Sequence, residues 1–280
     1  MPTPEPGIVR ESCEDSFRSI ASACAMAIDA ALAVFLETDD PAGPHKARVA
    51  LRRLTSALDA FSSILRRRAA SDLRSRAKRM FRDLGKVRDS DVHLHGDPKP
   101  TEDIVARNRK LRAGTRARLR KGRLVGFTQA LCRLVNSNAS LFRRSNKALE
   151  RRKAPVHDLA ADTLSQAWAA CARYGRSVRA IPEAKRHEFR KDMKTLRYLA
   201  EFFEGQFPAL QDDPFRSNLR DMQDALGDWN DYVVALRIEG RKAPKEVPPK
   251  IALALATAEE RWKALCLAEL PWAAQDTRRP

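Results

Sequence analysis

Two stretches of this chain concentrate cations on one side of a helix. His45, Lys46, Arg48, Arg52 and Arg53 fall within one short segment, and His187, Arg190, Lys191, Lys194 and Arg197 within another. At about 100° per residue, Arg48 and Arg52 share the side of His45, with Lys46 and Arg53 flanking. Ala47, Ala50, Leu54, Leu58, Phe61 and Leu65 gather opposite. The second stretch sets its cations against Phe189, Met193, Leu196, Ala200, Phe203 and Phe207. Each helix therefore buries one stripe and presents a second stripe of positive charge.

The helices that follow behave alike. Arg74, Lys78 and Arg82 recur at every fourth residue opposite Leu73, Ala77, Met80 and Leu84, and Arg216 and Arg220 lie opposite Phe215, Leu219, Met222 and Leu226. Like charges at this spacing cost an isolated helix roughly 0.2–0.5 kcal/mol per pair. No acid occupies the patterned positions of His45–Arg53, so the pattern predicts that a bound anion supplies the counter-charge. Of the 53 basic residues 38 are Arg. Their planar guanidinium forks match phosphate oxygens, so the chemistry in view is phosphate binding.

Both patterns belong to one repeat. A shift of 142 residues pairs His45 with His187, Arg48 with Arg190, Leu54 with Leu196, Phe61 with Phe203 and Arg74 with Arg216. It continues through Met80 and Met222, Leu84-Gly85 and Leu226-Gly227, Asp89 and Asp231, without a gap. This common register of unlike residue types predicts a tandem duplication, with halves at 8–150 and 155–270.

Each half reads as a run of helices. The spacing predicts helices over Ile8–Glu37, His45–Arg68, Asp72–Leu84 (capped by Gly85), Thr101–Arg120 and Leu124–Arg152, with Asp89–Pro100 as a loop. In the second half it predicts Pro155–Ile181, Glu183–Phe207, Asp213–Leu226, a short piece after Trp229, and Pro248–Leu270. No alternating strand pattern occurs, so the expected fold is all-α, a pair of helical bundles.

Composition narrows the partner. The net charge is +17 across 280 residues with 43% apolar content, which supports a packed core and a polyanionic partner. The five cysteines (Cys13, Cys24, Cys132, Cys171, Cys266) form no CxxC pair, so neither a zinc site nor a disulfide framework is expected. Ala21–Leu36, broken by Ser22 and Asp29, falls short of a bilayer span, and an acidic stretch precedes it. Free cysteines and no export signal place the expected location in the cytoplasm, without membrane association.

The string His45-Lys46-Ala47-Arg48-Val49-Ala50-Leu51-Arg52-Arg53-Leu54 resembles the signature of the CHAD family, the conserved-histidine α-helical domain, as does His187-Glu188-Phe189-Arg190-Lys191-Asp192-Met193-Lys194. Leu84-Gly85 with Asp89, and Leu226-Gly227 with Asp231, resemble its LGxxxD element, and Arg123 stands where the family tends to carry an Arg. The resemblance spans about residues 8–270. It implies two four-helix bundles related by a pseudo-twofold axis, basic helices lining a shared central groove, and binding of inorganic polyphosphate at polyphosphate granules. By matched position it assigns binding to His45, Arg48, Arg52 and Arg53 and to His187, Arg190, Lys194 and Arg197. Lys46, Lys191, Arg74, Lys78, Arg216 and Arg220 follow. Two departures stand out: Thr195 and Arg197 replace Arg53 and Thr55, and Gln223 and Asp224 replace Phe81 and Arg82.

No catalytic constellation accompanies these faces. The alternating-glutamate ExExK string of the triphosphatases fused to some family members is absent. His187-Glu188 lacks a zincin's second histidine, which Lys191 replaces. His93 and His95 have no third ligand, His157-Asp158 fits a helix start, and Asp89 and Asp231 are better suited to capping or to pairing with an Arg than to holding magnesium. The expectation is therefore no enzyme, no metal and no cofactor. The signature histidines are ligands or order their neighbours; both readings stand. An alternative is non-sequence-specific nucleic-acid binding, suggested by Arg107–Arg123. Its stripe Arg112, Arg116, Arg120 and Arg123 would track a backbone or continue the groove, but no aromatic residues interleave it. Trp168, Trp229, Trp262 and Trp272 read as core.

Overall fold

The structure is a computed structural model describing residues 11–96, 99–121, 126–137, 141–211, 214–238, 240 and 247–273. Regular structure among these residues is helical, with two isolated β-bridges, Ser12 with Pro155 and Leu65 with Phe142. The chain divides into two compact units, Met1–Val156 and His157–Pro280.

In the first unit α1 (Cys13–Glu37) is the central apolar element. Ser12 caps it by accepting the Asp15 N–H at 3.1 Å, and Phe17, Ala21, Ala25, Ile28 and Phe35 are fully buried. An 18-residue window of this 25-residue helix reaches a mean hydropathy of 2.0, apolar enough by length and composition to cross a bilayer, and its largest apolar side chains pack into the core of the unit. After a four-residue link α2 (Ala42–Ala60) begins. The Ala42 N–H donates to Asp40 Oδ1 at 2.7 Å. Gly43 lies so close to α1 that a Cβ would stand 2.8 Å from the Phe35 nitrogen, so the crossing needs glycine there.

Helix α2 ends eight residues before the expected Arg68. The reason is local: Phe61, Ile64 and Leu65 are all fully buried, and the backbone at 64–66 bonds to another segment. The Arg66 N–H donates to Leu141 O at 2.8 Å and the Arg143 N–H to Ile64 O at 2.9 Å.

The largest departure is α3, which runs unbroken over Arg67–Gly96. Gly85 does not cap it, and residues 89–96 are helical rather than a loop. Leu84, Val87 and Asp91 are buried along this stretch. That burial outweighs the roughly 1 kcal/mol a mid-helix glycine costs. Helices α4 (Glu102–Lys121), α5 (Phe127–Asn136) and α6 (Asn146–Lys153) complete the unit, so the single helix expected over 124–152 is broken. Arg123 lies outside the described residues.

The second unit has four helices among its described residues: α7 (Val156–Ala172, starting at the boundary), α8 (Glu183–Phe202), α9 (Pro214–Ile238) and α10 (Pro249–Leu267). α7 stops short of the expected Ile181, and α8 passes into two 3₁₀ turns, Glu204–Gln206 and Pro208–Leu210. α9 continues through Gly227 and absorbs the piece expected after Trp229. Its core is aromatic. The Trp262 ring lies 5.4 Å from Trp168 and 5.2 Å from Phe189, and its N–H donates to Gly175 O at 2.8 Å. Trp229, Trp262 and Trp272 are buried and Trp168 half-buried.

Candidate functional site: two arginines seated on helical glycines

The helical phase of α2 decides what each motif cation meets. Arg48 and Arg52 fall about 60° and 20° to one side of His45, and Lys46 and Arg53 about 100° and 80° to the other. The first pair leans over α3. Arg48 stands 4.5 Å and Arg52 5.0 Å above the Phe81 ring, a cation–π platform shared by two guanidiniums. Arg53 reaches towards α1, where it hydrogen-bonds Cys24; burial nonetheless pushes that thiol up to about 11.

Gly85 explains how Arg48 fits. A Cβ there would stand 3.2 Å from Arg48 Nη1, so the missing side chain is the space the guanidinium occupies. On its open side Arg48 meets Asp89 at 3.5 Å, one turn after Gly85. Burial holds the Arg48 pKa below its ordinary value; Arg52 and Arg88 push the same way and Asp89 opposes them. The result is a guanidinium held in place, partly desolvated and crowded by like charge, on which an incoming anion gains more than it would in open water.

A looser version of this arrangement recurs in the second unit. Arg190 on α8 lies over Gly227 of α9, with a Cβ there 3.7 Å from Arg190 Nη2. Gln223 stands where the first unit has Phe81. Gln223 is buried and donates to Met193 O at 2.7 Å, tying α9 to α8. Thr195, at the position of Arg53, donates to Lys191 O in its own helix. Arg197 sits beside α9 in a shallow surface hollow that it lines with Ala200, Glu201, Arg216, Leu219 and Arg220.

The other sequence-predicted residues divide by exposure. His45, Lys46, Lys78, His187 and Arg220 are exposed, and Arg52, Arg53, Arg190, Lys191 and Lys194 half-buried. Acids of the chain itself, some on the same helix and some on neighbouring elements, supply part of the counter-charge. Arg74 pairs with Asp59, Arg216 with Glu204 at 2.6 Å, Arg197 with Glu201 at 3.6 Å and Lys191 with Glu188 at 2.6 Å. A search along one helix could not see partners that come from another. Phe81, Asp59 and Glu204 were missed for this reason, whereas the invariant offset of Gly85 and Asp89 from Arg48 in both copies was a readable signal.

The Arg112–Arg116–Arg120 stripe is engaged within the first unit. Arg112 and Arg116 donate to the Thr38 carbonyl, Arg116 to Phe35 O at 2.8 Å, and Arg120 to Leu36 O at 3.1 Å. These are the orphan carbonyls at the end of α1, where cations complement the helix dipole. Arg112 is itself buried, with both Asp91 oxygens 2.7 Å from its Nη1. Asp91 also accepts from Asn108 at 2.9 Å. His95 Nδ1 is 2.7 Å from the Asp91 carbonyl, and His157 packs on the Phe207 ring at 4.9 Å.

An all-α fold in which an HxxR helix lies over an LGxxxD helix, once in each unit, places the chain among the histidine-motif helical domains. It belongs to the CHAD family, whose domain matches residues 19–238 and which is associated with inorganic polyphosphate. Among solved structures, the chain is similar to the CHAD domain from the plant Ricinus communis, at 21% identity and TM-score 0.66 over 94% of this chain and 90% of that one. It is also similar to PptA from Streptomyces chartreusis, at 17% identity and TM-score 0.50 over 94% and 99%. These likenesses are of fold. No curated protein matches the sequence.

Unequal clearance above the two glycines yields a prediction. Gly85→Ala forces the Arg48 guanidinium outward by a few tenths of an ångström, whereas Gly227→Ala makes only ordinary contact with Arg190. Each substitution stabilises its helix by up to about 1 kcal/mol. Thermal melting should therefore show neither variant less stable than the parent. Titration with long-chain polyphosphate should show weaker binding for Gly85→Ala and none of that loss for Gly227→Ala.

Proposed function

We propose that this protein is a non-catalytic polyphosphate-binding module, acting in the cytoplasm and at polyphosphate granules. The observation that carries this reading is the twice-built seat of Arg48 on Gly85 and Arg190 on Gly227. The mid-helix Gly85 costs stability and leaves room for a guanidinium at a partly desolvated, like-charged surface, while Gly227 gives Arg190 a wider clearance. Arg52, Lys78, Lys194 and Arg220 extend the two faces, and Lys46, Arg53, Arg74, Lys191, Arg197 and Arg216 flank them. Each phosphate contact contributes about 1.5–3 kcal/mol as a charge-assisted hydrogen bond. A chain of adjacent phosphates adds such contacts together and releases counterions as it binds.

Three arginines of the α4 run donate to α1 carbonyls, which weakens the nucleic-acid alternative, while Arg107, Arg109, Lys110 and Arg118 stay exposed. The test is a titration of long-chain polyphosphate at several salt concentrations, with competition by nucleic acid at equal phosphate. Tight binding that weakens steeply with salt and resists competition supports the reading. Displacement by nucleic acid, or release of phosphate on incubation with magnesium or manganese, overturns it.

A further inference from the structure

In the first unit Phe142, Phe35 and Phe81 each carry two arginines. Arg18 and Arg152 stand 4.7 and 4.9 Å from the Phe142 ring centre, and Arg112 and Arg116 stand 5.4 and 5.3 Å from that of Phe35. Arg48 and Arg52 stand 4.5 and 5.0 Å from that of Phe81. Over the first two rings one carboxylate bridges the pair. Glu14 meets Arg18 at 2.6 Å and Arg152 at 2.7 Å, and Asp39 meets Arg116 at 2.8 Å and Arg112 at 3.4 Å. Over Phe81 the arrangement differs. Asp89 meets Arg48 alone, at 3.5 Å, and among the described residues no acid pairs with Arg52.

Resting on the polyphosphate reading, we propose that Phe81 is a positioning residue: it holds Arg48 and Arg52 together so that one phosphate group bridges them, in the role Glu14 and Asp39 play over the other rings. A ring suits this task because it attracts both cations through its quadrupole and adds no negative charge. A carboxylate in its place would neutralise the pair before any ligand bound. The ring distances match those over Phe142, where the two oxygens of one carboxylate span both guanidiniums, so the oxygens of a phosphate can span the Phe81 pair. Without the ring, two long side chains must be ordered as the ligand binds, and each costs roughly two- to tenfold in affinity. Phe81 and Gly85 lie one turn apart on α3 and act on the same arginine. The glycine gives Arg48 room and the ring holds it there. At the matching position of the second unit Gln223 offers no ring and donates to Met193 O instead.

The experiment titrates the full chain and its Phe81→Leu variant with long-chain polyphosphate at several salt concentrations. Phe81 is half-buried, so leucine keeps much of the apolar contact and removes the ring face, and thermal melting checks the fold. The expected result is an affinity lower by roughly five- to a hundredfold at every salt concentration. The slope of log affinity against log salt should stay unchanged, because no cation has been removed. Arg52→Gln, by contrast, should lower both affinity and slope. Phe81→Tyr keeps the ring and should bind as the parent does. Undiminished affinity in Phe81→Leu, a slope that falls as it does for Arg52→Gln, or a folded Phe81→Tyr chain as weak as the leucine variant overturns the proposal. Phe81→Met takes the place of Phe81→Leu if that chain does not fold. A parent chain that fails to bind polyphosphate overturns instead the reading on which the proposal rests.

Discussion

Replacing Arg48 and Arg190 together by glutamate lowers affinity for long-chain polyphosphate by roughly a hundredfold to ten-thousandfold. The estimate is the loss of two charge-assisted contacts at about 1.5–3 kcal/mol each, before counting the repulsion from the new carboxylates. Arg48→Glu places its charge next to Asp89, on an arginine seat built against Gly85. The neutral pair Arg48→Gln/Arg190→Gln should fall between this variant and the parent, separating loss of contact from added repulsion. Helix content by circular dichroism checks that each chain remains folded. Affinity unchanged by the double reversal would remove both seats from the binding surface.

The second large effect concerns stability. Arg112 is 4% and Asp91 1% exposed, and they meet at 2.7 Å. Asp91→Ala leaves a buried guanidinium without its carboxylate and should destabilise the first unit by about 3–5 kcal/mol, read as a lower urea midpoint. Adding Arg112→Met removes the orphaned charge. It should recover part of the loss but not all, because Arg112 also donates to the carbonyl of Asp40 at 3.3 Å. Equal destabilisation by the single and double variants would show that no orphaned charge is being relieved. The prediction is specific to this pair, since exposed bridges such as Arg107 with Asp103 are worth at most about 1 kcal/mol.

How much of this was legible in the sequence depends on the range of each interaction. Periodicity located α1, α2, α8 and α10 because each packs one apolar stripe, and the buried faces at Ala47, Leu54, Leu58, Met193 and Leu196 are those the pattern predicts. Gly85 was misread because a glycine after an apolar run is an ordinary helix stop. Only the arginine crossing from α2 shows why the helix continues. The same limit applied to charge. Lone-helix reasoning found the cations of α2 and α3 but not Asp59 or Glu204, whose partners are set by tertiary packing. It also could not separate Arg112, Arg116 and Arg120 from a solvent-facing stripe, since the carbonyls that engage them belong to a helix 70 or more residues earlier. Asp89 is the informative intermediate case: its fixed offset from Gly85, matched by Asp231 and Gly227, marked it, and of the two expected roles, capping or pairing with an arginine, it takes the second.

The most direct measurement is a crystal structure of the chain grown with a short polyphosphate. The account predicts phosphates on Arg48 and Arg52 beside Gly85 and on Arg190 and Lys194 beside Gly227, with Asp89 swung away from Arg48. Phosphates lodged on the outer cations of α4, such as Arg109, Lys110 and Arg118, with both glycine-seated arginines bare, would contradict it.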